Sequence, residues 1–170
     1  VQRWVRPGYV RVHCPVVKIR ETITSDLDAA LALNNANLPA LNELDAPEIA
    51  RLVEHSELAL TAEVDGTFAG FCIVFAPGAP YESLNYRWFS RTYEHFVYLD
   101  RIAVDPAFRR YGIGRQFYAE IVERATGRFP LLACEVNIRP MNEGSLKFHH
   151  SVGFREVGQQ DTNYGTLVSL

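Results

Sequence analysis

Short apolar runs and amphipathic segments alternate along the first part of this chain. The β-branched run Val16–Arg20 predicts a first strand. Ser25 and Asp28 form the pattern of a capping box, which predicts the start of a helix. A second helix is predicted from Asp45, because Glu48 follows this cap by three residues. The predicted elements therefore open with one strand and two helices.

Apolar runs of strand length dominate the middle of the chain. Leu58–Val64 and Thr67–Phe75 are joined by Asp65-Gly66, a dipeptide typical of the two-residue turn of a β-hairpin. Phe96–Val104 and Leu131–Val136 predict two further strands. These four runs supply most of the predicted sheet.

Helical periodicity returns in the second half. Ile113, Phe117 and Ile121 recur at helical spacing, and Asn142–Val152 predicts a short helix that two strands follow. The segment Ala76–His95, rich in proline and aromatic residues, carries no predicted element, and a connection of this length is typically functional or mobile. The order β-α-α-β-β-β-α-β-α-β-β predicts a mixed α/β sheet with helices on both faces.

Size and charge narrow the class of protein. With 170 residues the chain suits one domain, and 48% hydrophobic residues are enough for a full core. A net charge of −3 and a pI near 6.0 argue against a general nucleic-acid binder, which needs a basic excess. No apolar run approaches the roughly 20 residues that span a bilayer. We therefore expect neither a nucleic-acid partner nor a membrane partner.

The N-terminal segment and the cysteines bear on the domain boundary and the compartment. Residues 1–15 are aperiodic and are interpreted as a flexible arm or a cloning remnant, which leaves residues 16–170 for the folded domain. Cys14, Cys72 and Cys134 are an odd number of cysteines without Cys-x-x-Cys spacing. Because Cys72 and Cys134 lie in apolar runs, we expect buried free thiols and a cytoplasmic protein.

A glycine-containing turn between a strand and an amphipathic helix is the most informative stretch. Gly112 and Gly114 allow a tight turn and close approach of a ligand, and the following helix N-terminus offers unpaired N–H groups. Arg109 and Arg110 add cationic donors. The stretch suits a phosphate or pyrophosphate. In the alternative interpretation the glycines serve only the turn and the arginines face solvent.

Two nucleotide-binding motifs do not fit this stretch. A dinucleotide fingerprint needs a third glycine or alanine where Phe117 stands, and its first glycine follows the strand almost directly, whereas residues 105–111 intervene here. The chain also lacks the GxxxxGK[ST] pattern of a P-loop. Nor do we find metal-ligand spacing.

Two motifs resemble those of a known family. Leu99–Pro106, followed by Arg-x-x-Gly-x-Gly from Arg109, resembles the acetyl-CoA-binding signature of the GNAT N-acetyltransferase superfamily. The stretch Asn142–Phe154 is similar to that family's second signature. The resemblance covers residues 16–170. A weaker likeness, through Asn34-Asn35 and Asn85–Trp88, points to a subgroup of predicted acetyltransferases.

The resemblance implies a fold and a cofactor. The fold would be a mixed, mostly antiparallel central sheet with helices on both faces and a splayed strand pair, and the cofactor would be acetyl-CoA. Backbone N–H groups around Gly112 would hold the pyrophosphate, and one strand would pair with pantetheine. The residues expected at the cofactor are Ile102, Ala103, Val104, Arg109, Arg110, Tyr111, Gly112, Ile113, Gly114, Arg115, Asn142, Ser145 and Phe148.

Acyl transfer to an amine needs a base, since a free amine is mostly protonated near pH 7. The family often carries this base at the position of Glu135, so the resemblance assigns the role there; a solvent-exposed or salt-bridged carboxylate is the alternative. Asp100, with Tyr98 on the same strand face, is a second candidate. The oxyanion would be served by a strand N–H near Val104, freed by the family's bulge.

One face of the short helix points to the thioester end of the cofactor. Asn142, Ser145 and His149 share this face, and Asn142 and His149 lie about 10 Å apart along the axis. The family's usual residue at His149 is a tyrosine that acts as general acid. Histidine can donate or accept near neutral pH. We hypothesise that His149 protonates the departing thiolate, with a packing role as the alternative.

The acceptor and partners are less defined. We expect Asn34, Tyr81, Tyr86 and Trp88 to border the pocket of a small-molecule amine or a peptide amine, or else to pack on the sheet. A non-catalytic acyl-CoA-binding module is the main competing function, and a nucleotide-binding oxidoreductase is disfavoured by the missing third glycine. The exposed terminal strands allow a homodimer.

Overall fold

A computed structural model describes residues 15–162 and 165–170 of the chain. Its helices are α1 (Leu27–Asn35), α2 (Ala46–His55), α3 (Leu84–Thr92), α4 (Ile113–Ala125) and α5 (Glu143–Ser151). Its strands are β1 (Val17–Glu21), β2 (Leu58–Val64), β3 (Thr67–Phe75), β4 (Val97–Val104), β5 (Leu132–Cys134), β6 (Val136–Arg139), β7 (Gln159–Asp161) and β8 (Leu167–Ser169). The predicted flexible arm, residues 1–15, lies outside the described residues except for Pro15, and so does Cys14.

The strands form two sheets. The first has the order β1-β2-β3-β4-β5, antiparallel except for the parallel pair of β4 and β5. The second has the order β6-β8-β7 and is antiparallel. These sheets confirm the predicted mixed, mostly antiparallel architecture. The predicted strand Leu131–Val136 is in fact divided at Glu135, where the chain passes from the first sheet to the second.

Helices cover both faces of the first sheet. On one face, α1, α2 and α3 pack against Phe71, Ile73 and Phe75 of β3. On the other face, α4 packs against Cys72 and Val74. Side chains of β3 therefore alternate between two apolar cores, which explains why its sequence is apolar throughout. Cys72 and Cys134 are free and buried, as predicted.

A bulge and a splay at β4 position the functional site. The register between β3 and β4 passes from Val74↔Leu99 to Ile73↔Arg101, so Asp100 is the extra residue. A bulge of this kind turns two consecutive side chains to one face. Pairing of β4 with β5 ends at Leu99↔Cys134, which confirms the splayed strand pair. The bulge was expected near Val104 and lies instead at Asp100.

Local predictions for the helices were partly right. Asp45 and Glu48 form the predicted capping box of α2, with reciprocal hydrogen bonds of 2.8 Å. The box predicted from Ser25 does not cap α1, because residues 24–26 form a short 3-10 turn in which Asp26 Oδ2 accepts from the Ile23 N–H at 2.9 Å. Arg20 also binds the Asp26 carboxylate, in an ion pair of 2.6 Å.

Helix α3 was missed in the segment Ala76–His95. Ser83 caps it by accepting from the Tyr86 N–H at 3.4 Å, and Tyr86 and Phe89 are its buried apolar residues. Aromatic residues have modest helix propensity, so this short helix depends on burial of one face more than on its own sequence. Among the described residues, no helix is long and apolar enough to cross a membrane.

Gly70 of β3 makes the contact with β4 possible, and Gly70→Ala is expected to lower the free energy of unfolding by about 1–3 kcal/mol. An ideal Cβ at this position would lie 2.6 Å from the backbone oxygen of Ala103, which cannot rotate away. Gly144→Ala is the matched control, since a Cβ there meets nothing within 4 Å and the site is inside α5. Urea unfolding should show a loss for Gly70→Ala and a small gain for Gly144→Ala. Equal stabilities would contradict this account of the β3–β4 contact.

Candidate active site

Two cavities meet beside the bulge of β4. The larger, about 480 Å³, is lined by Pro39, Ala40, Leu41, Asn42, Tyr81, Glu82, Ser83, Leu84, Asn85, Asp100, Arg101, Glu135, Asn137, Thr162, Thr166 and Val168. The smaller, about 170 Å³, is lined by Asn37, Ala40, Leu41, Leu99, Asp100, Ile102, Cys134, Glu135, Val136, Asn137, Asn142, Ser145 and His149. Asp100 and Glu135 border both cavities, so ligands in the two spaces would meet at these carboxylates.

Glu135 lies where the splay opens. It follows the last paired residue of β5, and Tyr98 O–H donates to its Oε2 at 2.5 Å. The residue keeps some accessible surface toward the cavities, but its carboxylate is surrounded by protein. Burial, and then the negative charge of Asp100, raise the pKa of Glu135 to about 7, while hydrogen bonds from Tyr98 and Asn85 oppose the rise. Glu135 can therefore exchange a proton near neutral pH.

Asp100 is held more tightly than Glu135. Tyr81 O–H donates to Asp100 Oδ1 at 2.5 Å, and Asp100 Oδ2 lies 3.1 Å from Arg101 Nε. The second contact is an ion pair without hydrogen-bond alignment, because neither atom has a hydrogen-bond partner. Burial raises the pKa of Asp100, and the Arg101 charge opposes that rise. The bulge places both residues on the same face of β4.

The beginning of α5 forms one wall of the smaller cavity. Asn142 caps the helix, with its Oδ1 accepting from the Ser145 N–H at 3.1 Å. Asn142, Ser145 and His149 all line the cavity, so the structure brings together the three residues that helical spacing placed on one face. The edge of β4 at Ile102 forms another part of the wall.

His149 is buried, with both ring nitrogens engaged. Nδ1 lies 2.7 Å from the Ser145 carbonyl oxygen, and Nε2 lies 2.5 Å from the Tyr118 hydroxyl. Since a carbonyl only accepts, Nδ1 carries the proton and Nε2 accepts from Tyr118. Burial lowers the pKa of His149, partly offset by the bond to Ser145. The ring is therefore neutral at pH 7 and fixed in one tautomer.

The turn before α4 has the backbone conformation of an anion site. Arg110 and Gly112 both lie in the left-handed region, with φ of 81° and 75°. Helix α4 begins at Ile113 without a side-chain cap from the described residues, so its first N–H groups face outward. Arg109 and Arg110 are exposed beside them. These features fit a phosphate group.

Gly114, Arg115 and Phe148, which were also predicted at the cofactor, serve the packing of α4 against α5, whereas Tyr111 does not. A Cβ on Gly114 would lie 3.3 Å from the Phe148 ring, so this glycine lets the two helices approach. Arg115 donates to Ser151 Oγ at 3.2 Å and lies over Phe148. Tyr111 is 42% exposed, and its ring centroid is 6.3 Å from that of Phe108.

Of the residues predicted at the acceptor, Tyr81 lines the larger cavity and three others do not. Asn34 is fully buried and accepts from Arg101 Nη1 at 2.8 Å, which positions that arginine. Tyr86 O–H donates to the Ala76 carbonyl at 2.7 Å. Trp88 packs against Gly158. These three side chains support the walls, because α1 directs Asn34 into the core and α3 directs Tyr86 and Trp88 there.

Sequence reasoning missed several residues of the site. Arg101 was overlooked because strand alternation places it opposite Asp100, and only the bulge brings it to the same face. Asn85 lines the cavity from the unpredicted helix α3. Tyr118 follows Phe117 in the amphipathic run of α4, and nothing in its spacing indicated a bond to His149. Asn137 borders both cavities from β6.

Comparisons with known proteins agree with this architecture. Residues 27–154 match the model of the acetyltransferase (GNAT) family. N-alpha-acetyltransferase RimI of Mycobacterium tuberculosis is 36% identical over 63 residues, which are 37% of each chain. The chain spans 16–37% of the length of the curated relatives that it matches.

Solved structures extend the likeness to nearly the whole chain. A ribosomal-protein-alanine N-acetyltransferase from Brucella melitensis is 26% identical with a TM-score of 0.68, covering 89% of this chain and 96% of its own. An aminoglycoside N-acetyltransferase in complex with CoA is 21% identical with a TM-score of 0.67, covering 88% of this chain and 95% of its own. The family model alone covers well over half of the residues, and the chain belongs to the GNAT acetyltransferase family.

Proposed function

We propose that this acetyltransferase moves the acetyl group of acetyl-CoA directly to a primary amine, with Glu135 as the base. The observation that carries the proposal is the meeting of two cavities at a carboxylate whose pKa is raised to about 7. A base is most effective when its pKa lies near the working pH. The smaller cavity would take the thioester end of the cofactor, and the larger would take the amine.

Three features of the chain fit coenzyme A. The left-handed turn and the start of α4 suit its pyrophosphate, and Arg109 and Arg110 add positive charge. The edge from Ile102 to Val104 extends past the end of the β5 pairing, so it can hydrogen-bond an extended pantetheine arm. Bound there, acetyl-CoA supplies the activated acetyl group.

The residues around the junction then act on the amine and the leaving thiol. Glu135 accepts a proton from the ammonium, directly or through a water, while Tyr98 holds the carboxylate in place. For His149 to protonate the thiolate, Nε2 must take a proton from solvent in place of the Tyr118 hydrogen bond while Nδ1 releases its proton from the Ser145 carbonyl, which returns the ring to the neutral form. A packing role for His149 is the alternative, and the two are separated experimentally below.

The larger cavity favours a cationic acceptor. Its described lining carries three carboxylates, Glu82, Asp100 and Glu135, against the single cation of Arg101. The names of the similar solved structures include a protein acceptor, a ribosomal-protein alanine, and a small-molecule acceptor, an aminoglycoside. We propose either a peptide amine or a small-molecule amine. Membership of the predicted-acetyltransferase subgroup, and a homodimer, stay predictions.

A thiol-release assay tests the proposed function. The protein is incubated with acetyl-CoA and a panel of peptide N-termini and small amines, and free CoA thiol is followed. We expect saturable release with at least one amine and an acetylated product of matching mass. If CoA binds but no amine on a broad panel reacts, the non-catalytic acyl-CoA-binding module replaces the enzyme.

Removing the two charges beside the turn is expected to weaken CoA binding. The double variant Arg109→Gln/Arg110→Gln should raise the Kd for CoA about 10-fold at low salt, since charge-assisted phosphate contacts are lost. Calorimetry measures the Kd. The matched control is Arg51→Gln/Arg91→Gln, which neutralises exposed arginines on α2 and α3, on the opposite face of the sheet from α4. Equal affinities of the two double variants would place the diphosphate elsewhere.

A further inference from the structure

We propose that Asn85, anchored by Gln160, is a positioning residue that orients the Glu135 carboxylate. The inference rests on the proposed function, in which Glu135 is the base. It makes the C-terminal hairpin of β7 and β8 part of the acetyl-transfer site, through an amide chain that runs from Gln160 to Asn85 to Glu135.

The first link of this chain is a hydrogen bond between distant segments. Gln160 Nε2 donates to Asn85 Oδ1 at 2.8 Å, across 75 residues of sequence. Asn85 is only 7% exposed and lies near the start of α3, where Ser83 caps the helix. Its amide is therefore fixed in place from both the helix and the hairpin.

The second link follows from the chemistry of the amide. Because Asn85 Oδ1 accepts from Gln160, the NH₂ group is the side of Asn85 left for other partners. Asn85 and Glu135 line the same cavity, so in this proposal the free NH₂ group is the donor that meets the Glu135 carboxylate. An ionised carboxylate only accepts, so an NH₂ group is the complementary partner. Tyr98 already donates to Oε2, and the proposal makes Asn85 the second side-chain donor.

Two donors matter because the site opposes ionisation. Burial and the charge of Asp100 both favour the protonated acid, which cannot take a proton from an amine. Hydrogen bonds to the charged form counter that tendency. Loss of Asn85 should therefore leave a carboxylate that ionises at higher pH and is less well oriented.

The other titratable groups facing Glu135 stay in place when Asn85 changes. They are Tyr98, Asp100 and Arg101 on β4, Tyr81 before α3, Cys134 on β5 and Tyr118 on α4. Burial raises the pKa of each of the three tyrosines and of Cys134, so these groups are neutral near pH 7. Asp100 and Arg101 are the same in wild type and in the variants, so a difference in the titration of Glu135 between these proteins reports the lost amide.

Three variants test the chain of amides. Asn85→Leu is nearly isosteric and removes the donor, and Gln160→Leu removes the anchor from a partly exposed position. Gln159→Leu is the matched control, because the Gln159 side chain is exposed and donates to Glu156 rather than to Asn85. The Glu135 carboxyl is titrated by NMR in ¹³C-Glu-labelled protein, with Glu135→Gln to assign the signal and thermal unfolding to verify each fold.

We expect the Glu135 midpoint to rise by about one pH unit in Asn85→Leu, by less in Gln160→Leu, and not at all in Gln159→Leu. The acidic limb of kcat/KM should move with it. Asn85→Leu would then lose about 10-fold at a pH one unit below the wild-type midpoint and recover well above it. A purely structural defect would lower activity at every pH.

The titration needs neither cofactor nor amine, so it separates this inference from the proposed function. An unmoved Glu135 midpoint in folded Asn85→Leu and Gln160→Leu overturns the inference, even in an active enzyme. If Asn85→Leu does not fold, Gln160→Leu decides by itself. If the Glu135 midpoint shifts but the protein acetylates no amine, the positioning of Glu135 by Asn85 is supported and the role of Glu135 as the base is rejected.

Discussion

Replacement of Glu135 by glutamine is expected to lower kcat/KM for acetyl transfer about 100- to 10,000-fold. Glutamine preserves the size of the side chain and still accepts from Tyr98, whose hydroxyl donates to Glu135 at 2.5 Å. It cannot take a proton from an ammonium ion. Steady-state thiol release with the best amine of the panel measures the loss, and the Kd for CoA should stay within about twofold of wild type.

Asp100→Asn decides between the two carboxylates. Tyr81 and Arg101 already hold Asp100, so we expect a smaller loss there than at Glu135. Glu94→Gln, at an exposed position, is the neutral control for a Glu-to-Gln change. If Asp100→Asn loses more than Glu135→Gln while both proteins stay folded, Asp100 is the base and the assignment to Glu135 is wrong.

The raised pKa of Glu135 also allows the loss of activity in Glu135→Gln to be distinguished from a loss of activity by unfolding. The folded-state pKa of Glu135 is raised from 4.5 to about 7, so folding favours the protonated acid. Its contribution to stability is full below the unfolded pKa and is lost as pH rises through about 7. Above that pH wild type carries a disfavoured charge that glutamine lacks. Glu135→Gln should therefore melt at or above the wild-type temperature at pH 8, while wild-type activity falls as pH drops below 7.

Local signals in the sequence predicted the elements that depend on neighbouring residues. Asp65-Gly66 predicted the hairpin because its turn needs two residues at positive φ, and both have it, at 50° and 80°. The spacing of Asn142, Ser145 and His149 predicted a shared helix face that borders one cavity. In each case the physical cause lies within about seven residues of sequence.

Features that depend on distant contacts could not be predicted in this way. The bulge at Asp100 arises from the register of β4 against β3, and strand alternation alone would put Arg101 on the face opposite Asp100. The bonds from Gln160 to Asn85 and from Tyr118 to His149 join residues 75 and 31 positions apart. Tyr86 and Trp88 were taken for acceptor contacts because aromatic side chains suit both a pocket and a core, and only their burial by α3 separates the two.

The second large effect is expected at His149, where a chemical role and a packing role predict different results. His149→Phe should lower kcat about 100-fold if the ring supplies the thiolate proton, with little change in the Kd for CoA. The new ring would keep the aromatic contacts with Tyr118, Phe148 and Phe154, whose centroids lie 5.4–5.6 Å from that of His149. The variant also removes the hydrogen-bond acceptor of the buried Tyr118 hydroxyl, which should lower the free energy of unfolding by about 1–3 kcal/mol.

The double variant His149→Phe/Tyr118→Phe separates these contributions. Removing both polar partners leaves no unsatisfied hydroxyl, so most of the lost stability should return, as measured by urea unfolding. The rate should not return, because no proton donor has been restored. Tyr118→Phe alone frees Nε2 and removes a donor that favours the neutral ring, so the pKa of His149 should rise in this variant. The kcat of Tyr118→Phe should fall less than the kcat of His149→Phe. Recovery of kcat together with stability in the double variant would mean that His149 packs the site and takes no part in proton transfer.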